Sequence, residues 1–237
     1  MAAMRKAHQS KAAGRRRSVL SRVALVLVAA AIFFYAFVTL SLLLFRRVNP
    51  LTTAVQVERR LESLLHRKPY RKVYAFVPIE LISPALQHAV VAAEDARFFQ
   101  HHGFDWKQVQ SAVEDDLDRG KSCGASTITQ QLVKNLFLTT SRSFIRKAVE
   151  FTIVPFAELL LSKKRILELY LNVIEWGPGV YGAEASSLHY FQVPARRVTR
   201  EQAVQLASIL PAPLRRKPGR LVEYDRIISE RMAQMGW

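Results

Sequence analysis

The hydrophobic positions of the chain fall into four successive patterns, each predicting its own kind of element. From Val23 to Phe45 apolar residues run without a charge. About 20 such residues, at about 1.5 Å each, cross the ~30 Å apolar core of a bilayer as a helix. A cleavable signal sequence carries an apolar run of only about 7 to 15 residues, so this stretch predicts a retained transmembrane anchor. Next, Val55, Val57, Leu61, Leu64 and Leu65 interleave with Glu58, Arg59, Arg60 and Glu62, which predicts an amphipathic connection near the bilayer surface. From Val73 to Ile79 the β-branched and aromatic residues predict one short strand or extended segment.

Beyond it the period is helical. Ser83 and Pro84 supply an N-cap and a proline at the first helical position, opening a helix expected to reach about Phe99. Another opens near Ser126 or Thr127, where Gly124 allows a tight entry and Thr127 and Gln130 have the spacing of a capping box. It places Thr127, Gln130, Gln131 and Lys134 on one face, free to line a cleft, while Ile128, Leu132 and Val133 anchor the others. A capped, half-exposed helix has the same spacing. Further helices are predicted around Arg146 and Glu150, with a kink at Pro155, and over Ser162–Asn172, Ala183–Phe191, Thr199–Leu210 and Leu221–Trp237. Gly177-Pro178-Gly179 and Gly182 mark a turn-rich loop. The fold class is therefore mainly α: a basic tail at 1–22, the anchor at 23–45, a membrane-proximal connection at 46–72 and one folded domain at 73–237.

Charge adds topology to this picture. The 237 residues carry 35 Lys plus Arg against 19 Asp plus Glu, a formal net charge of +16, which points to a polyanionic partner. Seven of the cations, Arg5, Lys6, Lys11, Arg15, Arg16, Arg17 and Arg22, precede the anchor with no acidic residue among them, and only Arg46 and Arg47 follow closely. The positive-inside rule keeps that end in the cytoplasm and puts everything after about residue 46 outside the cytoplasmic membrane. The tail is thus explained by orientation and anionic lipid, and a nucleic-acid partner is excluded. The lone Cys123 cannot form an internal disulfide, and no Cys or His pair has zinc-finger spacing.

Candidate chemistry sits on three of the helices. Glu94 lies at the edge of the stripe made by Leu86, Val90 and Ala93, where partial desolvation raises a carboxylate's pKa and suits it to accept a proton. Asp95, Arg97, His101 and Gly103 follow, a grouping that a charged helix end would also produce. Arg146 and Glu150 share a face four residues apart, which by itself is a weak surface pair. Asp115-Asp116-Leu117-Asp118 looks like a metal-nucleotide motif but is more simply a solvated face before Arg119-Gly120-Lys121.

Taken together, these residues resemble the peptidoglycan glycosyltransferases, found as monofunctional membrane-anchored enzymes and as the polymerising domain of bifunctional penicillin-binding proteins. Glu94-Asp95-x-x-Phe98-x-x-His101-x-Gly103 is similar to the first family motif, Gly124 to Asn135 to the second, and Arg146-Lys147-x-x-Glu150 to the third. Lys163 to Asn172, with the glycines that follow, is similar to the fourth, and Thr199 to Pro213 to the fifth. The chain ends soon after the fifth motif, so the monofunctional form is expected. Two places depart from the pattern: Tyr190-Phe191-Gln192-Val193 stands where the family continues Tyr-Phe-Gly-Lys, and Pro155 stands where an aliphatic residue is usual.

The resemblance implies a lysozyme-like helical domain that polymerises lipid II into β-1,4-linked glycan strands with inversion, releasing undecaprenyl diphosphate. It implies Glu94 as general base and Lys134, Arg146 and Lys147 as holders of the diphosphate. Glu150 is then a second carboxylate that either orients those cations or assists departure. Ser126, Thr127, Gln130, Gln131 and Asn135 are expected to meet sugar and phosphate oxygens, and Asp95, Phe98 and His101 to shape the site. A divalent cation, Mg or Mn, is compatible with the family, but no ligand set is recognisable in the sequence. Membrane lipids and other cell-wall synthesis proteins are the remaining expected partners. A lysozyme-like hydrolase or lytic transglycosylase is the competing reading, since one catalytic glutamate in a helical domain serves that chemistry too. It leaves the cations without a purpose, and a non-enzymatic scaffold leaves the polar stripe without one.

Overall fold

The computed structural model describes residues 2–67, 69–110 and 126–237, with side chains from residue 21 onward. The readings made on Gly124, Cys123 and the acidic run at Asp115 lie outside the described residues. Two compact units divide the chain, Met1–Ser41 and Leu42–Trp237. The first is helical, carried by α1 (Ala2–Phe45). Its segment Ser21–Phe45, of mean hydropathy 2.7, is long and apolar enough to cross a membrane.

The second unit is built from α2 (Ala54–Leu65), β1 (Val73–Tyr74), α3 (Pro84–Glu94), α4 (Ile128–Phe137), α5 (Phe144–Leu160), α6 (Lys163–Val173), β2 (Glu175–Gly177), β3 (Val180–Tyr181), α7 (Ala183–Phe191), α8 (Arg200–Ile209) and α9 (Val222–Gln234). Single 3-10 turns at Ile79–Leu81 and Ala195–Arg197 complete it. α3 packs on α8 and α9, while α4 packs against α2, α5 and α6. The core between them holds Leu86, Val90, Ile128, Leu132, Ile153, Ile166 and Leu169, each fully buried.

Local chemistry explains most of the boundaries. Thr53, Ser83, Ser143, Ser162 and Thr199 each cap the helix that follows, and Pro84 opens α3. α3 stops at Glu94, short of the expected Phe99, because Asp95 leaves the helical conformation (φ −161°, ψ 72°) to turn its carboxylate on the start of α4. α5 stays helical through the exposed Pro155 to Leu160. The turn-rich loop around Gly177 is part of a small sheet ordered β1-β3-β2, with Val73 beside Val180 in parallel and Glu175 opposite Tyr181 in antiparallel register.

Two contacts place these pieces about the cleft. The buried Asn172 carboxamide accepts from the Val77 N–H and donates to the Val77 carbonyl, both at 2.9 Å, clamping the extended segment after β1 to the end of α6. The α2 helix of the 46–72 connection is tied into the same unit, where Glu58 accepts from the Thr140 N–H at 2.8 Å and its hydroxyl at 3.1 Å. Leu61, Leu64 and Leu65 remain exposed on its other side.

Candidate active site

The loop after α3 and the start of α4 are knitted by a buried polar network. One Asp95 oxygen accepts from the Ile128 N–H at 3.0 Å, satisfying a free amide at the α4 N-terminus, and the other lies 2.8 Å from His101 Nε2. The Gly103 N–H donates to His101 Nδ1 at 3.2 Å, so the imidazole proton sits on Nε2 and points at Asp95. The Thr127 hydroxyl donates to the Gly103 carbonyl at 2.7 Å and closes the ring. Gly103 adopts φ +89°, and a Cβ there would lie 2.4 Å from Val154 Cγ1, so glycine is required on both counts. Phe98 is fully buried beneath this loop, with Lys163 Nζ 4.4 Å from its ring centre.

That network delivers Glu94, the last residue of α3, to the polar face of α4. Gln131 Nε2 donates to Glu94 Oε2 at 2.6 Å, and Gln131 Oε1 accepts from the Tyr170 hydroxyl at 3.0 Å. Burial pushes the Glu94 carboxyl above the usual range, opposed by the Gln131 hydrogen bond and by the charges of Lys134 and Arg216. Glu94 lines a cavity of about 270 Å³ with Arg97, Gln108 and Arg231.

The cations gather around the second carboxylate. Glu150, 2% exposed, pairs with both Arg146 and Lys147 on its own helix. Lys147 Nζ also reaches Ser126 Oγ at 3.2 Å, and Arg146 Nε donates to the Ser141 carbonyl at 2.7 Å. Burial lowers the Lys134 pKa, which the carboxylates of Glu150 and Glu94 oppose and the charges of Arg146 and Lys147 reinforce. Cavities open on both flanks of α4. One, of about 390 Å³, is lined by Gln131, Lys134 and Asn135 together with Arg59, Arg142, Tyr170 and Glu175. The other, of about 210 Å³, joins Ser126, Gln130 and Lys147 to Phe104, Trp106 and Phe151.

The polar stripe of α4 is thus divided. Thr127 and Gln130 form the capping box, each side chain on the other's backbone N–H, and both are buried. Gln131, Lys134 and Asn135 face the larger cavity, where Asn135 also donates to the Gln131 carbonyl at 2.8 Å. Arg59, Arg142, Glu175 and Arg215 on the wall of that cavity were not singled out from sequence. Arg142 sits in a polar break and Arg215 in a proline-rich segment, where no periodicity draws attention to a side chain.

One grouping among the described residues has metal-ligand proximity: Asp95, His101 and Asp105, whose ligand atoms lie within 4.8 Å of one another. It does not fit a divalent cation. Both Asp95 oxygens are taken by Ile128 and His101, Arg97 pairs with both Asp105 oxygens, and the Gln108 N–H donates to one of them.

A desolvated carboxylate beside a lysine and two carboxylate-held cations, with cavities on either side, is the equipment of a group-transfer enzyme acting on an anionic substrate. Residues 44–235 match the Transglycosylase family. The chain is 43% identical over 219 residues to a protein of Nitrosomonas eutropha, covering 90% of this chain and 89% of that one. It is 45% identical over 190 residues to one of Laribacter hongkongensis (78% and 83%) and 40% identical over 227 residues to one of Brucella suis (94% and 96%). All three are named biosynthetic peptidoglycan transglycosylase. The chain belongs to this family and is a peptidoglycan glycosyltransferase, an enzyme of cell-wall synthesis.

Proposed function

We propose that the chain polymerises lipid II at the outer face of the cytoplasmic membrane, with α1 as a single-pass anchor and its basic end in the cytoplasm. Glu94 removes the proton from the incoming sugar 4-hydroxyl as that oxygen attacks the anomeric carbon of the donor from the opposite side. The bond to the diphosphate breaks, and undecaprenyl diphosphate leaves with inversion at the anomeric carbon. Lys134, Arg146 and Lys147 hold the departing diphosphate, the arginine through its planar fork. Glu150 keeps two of those cations in place. Ser126, Gln131 and Asn135 orient sugar and phosphate oxygens, and Asp95, Phe98, His101, Thr127 and Gln130 hold the framework.

The observation that carries this reading is that Glu94, held by Gln131 of α4, and the Glu150 carboxylate with its paired Arg146 and Lys147, the latter reaching Ser126, both meet the helix that carries Lys134. A base for the acceptor and a counter-charge for the leaving group are the two requirements of inverting transfer from a diphosphate. Incubating the purified chain with lipid II and resolving the products on a gel tests it. Glycan strands are the expected product. Release of muropeptides from intact wall, with no strands from lipid II, would instead identify a hydrolase.

A further inference from the structure

We infer that Tyr170 is a positioning residue for the base, its hydroxyl fixing which way round the Gln131 carboxamide lies so that the carboxamide offers its N–H group to Glu94. The inference rests on the proposed role of Glu94. Tyr170 is 0% exposed, and its hydroxyl donates to Gln131 Oε1 at 3.0 Å. Gln131 Nε2 in turn donates to Glu94 Oε2 at 2.6 Å and lies 3.4 Å from the Ser126 carbonyl. Every polar atom of the carboxamide therefore has a partner.

Turning the carboxamide over would bring its oxygen against a carboxylate oxygen. It would also leave the buried Tyr170 proton without its acceptor, since Gln131 Oε1 is the one acceptor of that hydroxyl among the described residues. An unpartnered buried hydroxyl is costly, so the tyrosine selects one orientation. Its proton is secure, because burial, with the charges of Glu94 and Asp95, holds its ionisation far above the usual tyrosine range. The consequence falls on Glu94: an N–H donor stabilises the carboxylate over the acid, keeping Oε2 occupied and leaving Oε1 to accept the substrate proton.

Charged groups face Glu94 as well. Lys134 comes from α4, Arg216 from the segment after α8, and Asp95 from the end of α3. Arg97, Asp105, Arg231 and the neutral Gln108 line the same cavity as Glu94. Gln131, oriented by Tyr170, is the neutral donor bonded to the Glu94 carboxylate, so Tyr170→Phe removes one hydroxyl and no charge.

The test measures strand synthesis from lipid II against pH for the full-length parent, Tyr170→Phe, Gln131→Leu and the double variant. Without the oriented donor the Glu94 carboxyl is harder to ionise, so the acid limb of kcat is expected about half to one pH unit higher in Tyr170→Phe. KM should stay within about twofold, and activity should recover toward the parent's above the displaced limb, which a general loss of structure would not allow. Gln131→Leu is expected to displace the limb in the same direction, and adding Tyr170→Phe to it to displace it no further. Should Tyr170→Phe not fold, Gln131→Leu carries the test. An acid limb superimposable on the parent's, or independent displacements in the double variant, would overturn the inference. Glu94→Gln is run alongside: inactivity at every pH upholds the base, whereas retained activity would overturn the base itself, whatever the Tyr170 variants show.

Discussion

At the scale of single residues, burial acts on the two central charges in opposite senses. It raises the Glu94 pKa and lowers that of Lys134, so each is brought toward its neutral form. A base must be ionised and a diphosphate clamp must be protonated. Activity is therefore expected to fall on acidification above the ordinary glutamate range and on alkalinisation below the ordinary lysine range. Lys134→Arg, whose guanidinium does not titrate there, should move the alkaline limb of the rate profile to higher pH. An unchanged limb would remove Lys134 from that step. Stability at Glu94 runs in the opposite sense to activity: a carboxyl whose folded pKa is raised contributes most below its unfolded pKa and loses that contribution as pH rises through the folded value. Glu94→Gln is accordingly expected to raise Tm at neutral pH, by about 2–4 °C for each kcal/mol gained, with the difference closing in acid. A calorimetric scan in detergent at two pH values checks this.

At the scale of elements, the site is held by the ends of helices. α3 terminates where Asp95 caps α4, and Gly103 bends the chain over Val154 of α5. Gly103→Ala places a methyl group against Val154 at a left-handed φ and is expected to cost about 1–3 kcal/mol, read as a lower Tm. The caps at Ser83 and Thr127 were legible because each is a local hydrogen bond written within four residues. The early stop of α3 was not, since Asp95 bonds to Ile128, 33 residues on. The pairing of β3 with β1 was equally hidden, because it joins residues more than a hundred positions apart. The stripe on α4 was half legible: its period was clear, but the capping box that signals the helix start also turns Thr127 and Gln130 inward.

At the scale of the whole molecule, the seven basic residues before the apolar segment and its mean hydropathy of 2.7 support a single-pass anchor with the second unit outside. Alkaline phosphatase fused after Trp237 should be active in intact cells, and an inactive fusion would reverse the proposed topology. Glu94, Lys134, Arg146, Lys147 and Glu150 stood out through the family motifs they resemble, since their spacings alone also fit a charged helix end, a half-exposed helix and a weak surface pair. What sequence could not supply was the relation between those helices, on which the account turns. The most direct test is the rate at which Glu94→Gln forms glycan strands from lipid II. A loss of about 10²–10⁴-fold with the fold intact is predicted for a general base, and strand synthesis at the parent's rate would contradict the account.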